Sequence, residues 1–267
     1  MIIIKNRLFI IYIFFTLEFV LSSQCFSSFE NVGTNAGFQA MGGAGVANIC
    51  TPDAIFYNCS GIALSNGIQI ALSYCNPFGI KELNHGTFSV SFPAVLGNFG
   101  FASKTFGNVL YSENEYFLSY ANSVRGKFSY GASVRYSRLE ISKYGHDTAI
   151  AVDVGFTTSI STIVKWGFAA TNINRAKIGA KNDLLPRIFI SGFNVKPVDN
   201  LYLNFDVYKD TQFPMELHFG MEYSLFERFV LRSGFVTEIA SFTAGMGLRF
   251  SHFDLDYAFQ SHNDLGF

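Results

Sequence analysis

The chain has 267 residues and a net charge of −1, with 15% charged, 17% aromatic and 49% hydrophobic residues. That length allows one large domain or two small ones. The charged share is well below the roughly 25% of soluble domains, too little to cover a large solvated exterior, and the near-zero net charge gives no electrostatic case for binding nucleic acid.

In chain order, a basic start with Lys5 and Arg7 precedes an apolar run over residues 8–21 and then the small and polar residues Ser22, Ser23, Gln24, Cys25, Ser27 and Ser28. These are the three parts of a secretory signal peptide, assigned to residues 1–25 with cleavage between Ser22 and Ser28. The alternative, a membrane anchor, needs roughly 20 apolar residues, more than this run supplies. Cys25 follows a poor approach sequence for lipidation. No later apolar run reaches the roughly 18 residues of a spanning helix.

Residues 26–65 hold the segment AMGGAGVANICTPDAIFYNCSGIA, at 40–63. Gly43-Ala44-Gly45 is a partial dinucleotide pattern, but Asn48 occupies the position of the third Gly and no strand precedes it, so a nucleotide site is disfavoured. Glycines that let a segment pass close to a wall fit better. Asn58-Cys59-Ser60 matches an N-glycosylation pattern, which burial inside such a segment would make inaccessible.

From residue 66 onward the chain alternates. Phe128, Tyr130, Ala132, Val134 and Tyr136 share one face, and Ser129, Gly131, Ser133, Arg135 and Ser137 share the other. The same period of two runs through 150–157, 201–208, 215–223, 242–250 and 253–259, with weaker runs at 68–74, 88–92, 99–103, 116–120, 164–171, 189–195 and 229–235. Such runs are strands with one apolar and one polar face, about thirteen in all. No amphipathic helix interrupts them. A soluble sandwich and a transmembrane barrel both fit this count. The polar faces decide: they are mostly Gly, Ser, Ala, Thr and Asn rather than Lys and Glu. Aromatic residues toward strand ends, including Tyr74, Tyr120, Tyr136, Tyr223 and Phe250, suit the girdles of a lipid-facing wall around a polar lumen. The reading is an all-β transmembrane antiparallel barrel, with small lumen residues leaving room for a plug or a narrow channel.

The segments KPVDNLYLNFDVYKD, LHFGMEYSLFERFVLRSGF, FTAGMGLRF and FDLDYAFQSHNDLG, together with AMGGAGVA and DAIFYNCSGIA, resemble the PorV/PorQ family of outer-membrane proteins, similar in architecture to the FadL transporters. The resemblance implies a barrel of about 14 strands over 66–267, an N-terminal plug over 26–65, and a plug motif at Met41, Gly42, Gly43, Asp53, Asn58 and Gly61. Cys59-Ser60 stands where the family usually has Pro-Ala, which puts the rigid turn after Asn58 in question. The family also continues past the DLG sequence with a closing strand, so the barrel is expected either to lack its last strand or to gain one from before Ile68.

The lumen-facing charges read from the alternation are Arg135, Asp153, Glu216, Glu222, Arg232, Arg249, Asp254 and Asp256. Pairing that stabilises the barrel is preferred over a solute path. His218, between Glu216 and Glu222, reads as part of a polar cluster rather than a catalytic base. Cys50 and Cys59 both fall in the plug, where either a disulfide or free buried thiols would fit. The scattered His residues suggest no metal site, and no enzyme activity or cofactor is expected. The leading functional reading is an outer-membrane barrel in protein secretion, with exported proteins or secretion-system components as partners. The alternatives are FadL-like passage of a hydrophobic solute and a structural surface protein. Outer-membrane lipid surrounds the wall in each, and nucleic acid is excluded as a partner.

Overall fold

A computed structural model of the chain describes residues 29, 34–77, 80–179, 183–237 and 241–261. The signal-peptide reading over 1–25 and the final residues 262–267 lie outside the described residues. An N-terminal segment comes first, with a short helix α1 (Ala36–Gln39) and two 3-10 helices, Pro52–Phe56 and Cys59–Leu64. The strands follow: β1 (Gln69–Cys75), β2 (His85–Ala94), β3 (Gly97–Gly107), β4 (Tyr111–Val124), β5 (Phe128–Ile141), β6 (Gly145–Ser159), β7 (Val164–Ala170), β8 (Lys177–Ile178), β9 (Asp183–Leu184), β10 (Ile188–Val198), β11 (Leu201–Asp210), β12 (Met215–Leu225), β13 (Phe229–Val236), β14 (Ser241–Arg249) and β15 (Asp254–Gln260).

Thirteen of these strands form one antiparallel sheet in chain order, and β8 and β9 pair as a separate hairpin. The chain is an all-β transmembrane barrel whose lumen holds the N-terminal segment. The wall thus has the thirteen strands visible as alternating runs, against the about 14 that the family resemblance implied. Among the described residues, β1 and β15 are the two ends of the pairing order, and no pairing joins them.

The polarity of the wall is the inverse of a soluble protein. Ile70, Leu72 and Tyr74 on β1 are 64%, 78% and 71% exposed, while Lys104, Glu115, Arg135, Asp153 and Asp206 are buried on the inner face. A sandwich in water would lose the hydrophobic contribution of the first set and bear the desolvation of the second. In a bilayer the outward apolar side chains meet hydrocarbon, and pairing along the thirteen-stranded sheet satisfies the backbone between its two end strands. The faces assigned from alternation hold: Val134 and Tyr136 are exposed, Ser133 and Arg135 buried.

Two strand readings change. The run read as 116–120 belongs to the fourteen-residue β4, because Glu113 and Glu115, polar residues that face the lumen, had looked like a break in an apolar run. The stretch between the runs read as 164–171 and 189–195 carries the β8–β9 pair, with Lys177 opposite Leu184. The two ends of the barrel differ. At one end the connections are residues 95–96, 125–127, 160–163, 199–200, 226–228 and 250–253, all short. At the other lie the longer 76–84 and 171–187.

A charge on the outer face should therefore be destabilising. Leu118 is 64% exposed on β4. Leu118→Arg is expected to cost about 2–4 kcal/mol if it lies near the bilayer midplane. Denaturant unfolding of the bilayer-reconstituted barrel checks this; no loss would place that face in water.

Candidate functional site: the plug and the lumen wall

The N-terminal segment crosses the lumen from the long-loop end to the short-turn end. Phe29 is buried near the first, against Ala149, Ala151, Ile178 and Leu185, and its backbone N–H donates to Glu113 Oε2 at 2.6 Å. Asn35 caps α1, accepting from the Phe38 N–H at 2.7 Å. Phe38, Ala54, Ile55, Phe56, Tyr57 and Ile62 then form an apolar core with Ala102, Phe117 and Ala121 of β3 and β4. Burial raises the pKa of the Tyr57 phenol and keeps it protonated; its partner is the Thr34 hydroxyl.

Glycines on the inner face let this segment touch the wall backbone to backbone. A methyl group added at Gly234 of β13 would sit 2.2 Å from the Gly42 nitrogen, and one at Gly131 of β5 would sit 2.9 Å from backbone atoms of Cys59 and Ser60. Gly167 and Gly220 meet backbone of Val46, Ala47 and Met41 in the same way, while Gly100, Gly155 and Gly245 make room for the side chains of Ile55 and Ile62, Asn58 and Ala40. These strands read as weakly polar because their inner faces have given up side chains to make room.

The glycine-rich loop does cradle an anion, and the anion belongs to the barrel. Gly42, Gly43 and Gly45 have φ of +66°, +70° and +145°, a conformation that costs glycine least. This turns the Gly45 and Val46 N–H groups onto Asp206 Oδ2 of β11, at 2.7 and 2.9 Å. On the other side, His218 Nδ1–H donates to the Gly42 carbonyl at 2.6 Å, while His218 Nε2 lies 3.1 Å from Glu216. Met41 packs on Gly220, and its sulfur accepts from Asn204 Nδ2 at 3.4 Å.

Asp53 and Asn58 tie the rest of the segment down. Asp53 accepts from Ser89 Oγ of β2 at 2.5 Å and from Asn35 Nδ2 at 2.7 Å. Burial raises its pKa, and these two hydrogen bonds oppose that rise. Asn58 donates through Nδ2 to the Val46 carbonyl at 2.7 Å and to the Phe156 carbonyl at 3.2 Å. Its Oδ1 accepts from the Ser60 hydroxyl at 2.8 Å and caps the second 3-10 helix. The turn after Asn58 therefore forms here without a Pro. Ser60 also meets Thr157 Oγ1 of β6 at 2.8 Å, a link Pro-Ala could not make. Gly61 is required as well, because a Cβ there would lie 2.1 Å from the Ile49 carbonyl.

The predicted lumen charges fall into two groups. Toward the long-loop end, Arg135 Nη1 lies 3.0 Å from Glu115 and its Nε 3.4 Å from Asp153, while Lys104 Nζ lies 2.5 Å from Glu115. Toward the short-turn end, Arg232 reaches Glu222 at 2.6 Å and Asp256 at 2.7 Å, and Arg249 reaches Asp256 at 2.8 Å and Asp254 at 3.6 Å. Glu216 stands apart, beside His218. The alternation missed Lys104, Glu115 and Asp206. Asp206 was visible on the polar face of its strand, but nothing there marked it as the partner of a loop some 160 residues earlier.

Cys50, Cys59 and Cys75 are free thiols in the structure, so Cys50 and Cys59 form no bridge. Burial, with the nearby Asp153 charge adding, pushes the Cys59 thiol up to about 12.

No protein-family profile matches this chain, and no curated protein does. Solved structures match its fold. The TodX monoaromatic hydrocarbon channel, as a deltaS2 mutant, superposes with a TM-score of 0.68 at 10% identity, over 86% of this chain and 93% of that chain. The toluene transporter TbuX of Ralstonia pickettii gives 0.64 at 15% identity, over 88% and 94%. A FadL homologue of Pseudomonas aeruginosa gives 0.60 at 12% identity, over 86% and 90%. At these identities the likeness concerns architecture: the chain has a FadL-like barrel.

Cys59 reports on plug seating. Burial and the Asp153 charge both disfavour the Cys59 thiolate, so little of it is present at pH 8. In the folded barrel, mass-detected maleimide labelling of Cys59 at pH 8 should be negligible beside that of Cys59 in the unfolded chain. Gly131→Ala, which forces a methyl onto the Cys59 backbone, should expose Cys59 to labelling at pH 8 while the strands stay folded. Unchanged protection would refute the close contact.

Proposed function

We propose that this protein passes an uncharged hydrophobic solute across a bacterial outer membrane, with the segment over 34–65 as the gate. The observation that carries this reading is the plug itself. It lies in the lumen and is held by hydrogen bonds and apolar packing, all reversible, and the described cysteines are free thiols. The short turns then face the periplasm and the longer connections, 76–84 and 171–187, face outward.

Charge supports an uncharged cargo. Lys104, Arg135, Arg232 and Arg249 of the inner wall each lie within 4 Å of a carboxylate. A solute carboxylate would have to displace one of these partners, and breaking a buried pair is costly. The structural neighbours named for toluene and monoaromatic hydrocarbons favour the same class. They favour passage of a solute over the secretion role that the PorV/PorQ resemblance implied.

Liposomes holding the full-length barrel should take up a neutral aromatic hydrocarbon faster than protein-free liposomes, and faster than they take up the matching aromatic carboxylate. Asp206→Ala removes two hydrogen bonds to a carboxylate, roughly 1.5–3 kcal/mol each, and should raise the uptake rate by loosening the plug. Uptake equal to protein-free liposomes, together with recovery of exported proteins on the purified barrel, would overturn the reading in favour of secretion.

A further inference from the structure

The outer wall carries a site that the plug does not explain. Cross-strand register places Phe193, Phe205, Phe219, Phe235 and Phe242 directly opposite one another, one from each strand from β10 to β14. Phe205 and Phe219 stand 5.0 Å apart between ring centroids, and Phe235 and Phe242 4.9 Å apart. Trp166 of β7 lies opposite Phe193 and extends the row. Beside it runs a furrow of about 540 Å³, bordered by Leu203, Met221 and the small Ser233.

The inner face is closed by the plug at this place. Gly220 and Gly234, paired across β12 and β13, line the furrow and carry no side chain on their lumen side. There the wall lies against Met41 and Gly42 of the plug, in contact with backbone. The wall is one backbone thick at this place, and the lipid side has the hollow.

We propose that this furrow is a binding site for one acyl chain of a membrane lipid. The furrow is continuous with the lipid-facing belt, so hydrocarbon is what meets it. An empty hollow would forfeit dispersion contacts along its lining. Water is excluded because the apolar lining gives it too few partners. Five strands spaced about 4.8 Å apart make a row roughly 19 Å long across the strands; with strands tilted about 35–45° the row climbs roughly 11–14 Å along the membrane normal, within the about 15 Å depth of hydrocarbon in one leaflet. A flexible, unbranched chain can lie along such a row, and a fixed row of rings orders it more than the convex wall elsewhere does. The occupied furrow backs the wall where the plug's glycine loop is seated.

The test uses the full-length barrel in bilayers containing a phospholipid with a photoreactive diazirine in its acyl chain, with adducts mapped by mass spectrometry. Adducts on Met221 and Phe235 should exceed those on Leu118 and Val134, on the far side of the belt, several-fold. Ser233→Phe, which fills the hollow, should remove that excess and leave labelling of Leu118 and Val134 unchanged. Heat-modifiable gel migration shows whether the variant is folded, and the excess in the unsubstituted chain is diagnostic even if it is not. Even labelling around the belt would overturn the proposal. So would an excess abolished by a neutral aromatic hydrocarbon, which would assign the furrow to the solute instead.

Discussion

Contact between the backbone of the plug and the backbone of the wall is the constraint on which the rest of this structure depends. A barrel of this size has a lumen only a few side chains wide. Filling it with a polypeptide requires that wall and filling both be stripped to small residues where they meet. Gly131, Gly155, Gly167, Gly220, Gly234 and Gly245 supply this from the wall. Gly42 and Ala44 supply it from the plug. The glycine richness of the lumen face follows from this contact.

Once the backbones touch, their polar groups need partners, because little water fits between them. Asp206, His218, Asn58 and Ser89 are the partners, each on or against a different stretch of the plug. The two charge networks sit on either side of the seated segment. Each joins strands that are near neighbours in the sheet: β3 to β6 at one end, β12 to β15 at the other. Buried pairs of this kind do little for net stability but make any arrangement that breaks them costly. They hold the wall in register, whereas the plug is tied by hydrogen bonds and apolar packing, as the proposed gate requires.

Much of the wall was legible in the sequence because a strand repeats every two residues and the bilayer enforces that repeat on one face. Val134 against Arg135, and Leu217 against His218, can be placed without coordinates. The reading faltered where a lumen-facing charge interrupts the pattern, as at Glu113 and Glu115, since a short window takes a carboxylate for a strand end. The plug was legible as a glycine-rich segment ahead of the strands, and a nucleotide site was disfavoured on motif grounds. What no local pattern could give was the identity of the anion under that loop. Gly45 and Asp206 meet only through the three-dimensional course of the chain. The loss of Pro after Asn58 was visible too, yet its remedy, a Ser60 hydroxyl between Asn58 and Thr157, depends on a strand nearly a hundred residues later.

Hydrogen exchange of the reconstituted barrel, followed by mass spectrometry on peptides covering 40–65, tests the seated plug most directly. If the Gly45 and Val46 amides are bound to Asp206 and the segment lies against the lumen glycines, these peptides exchange as slowly as those from β5 and β6. Exchange at the rate of an exposed loop such as 142–144, with the strands still protected, would show a lumen without a seated plug and contradict the account.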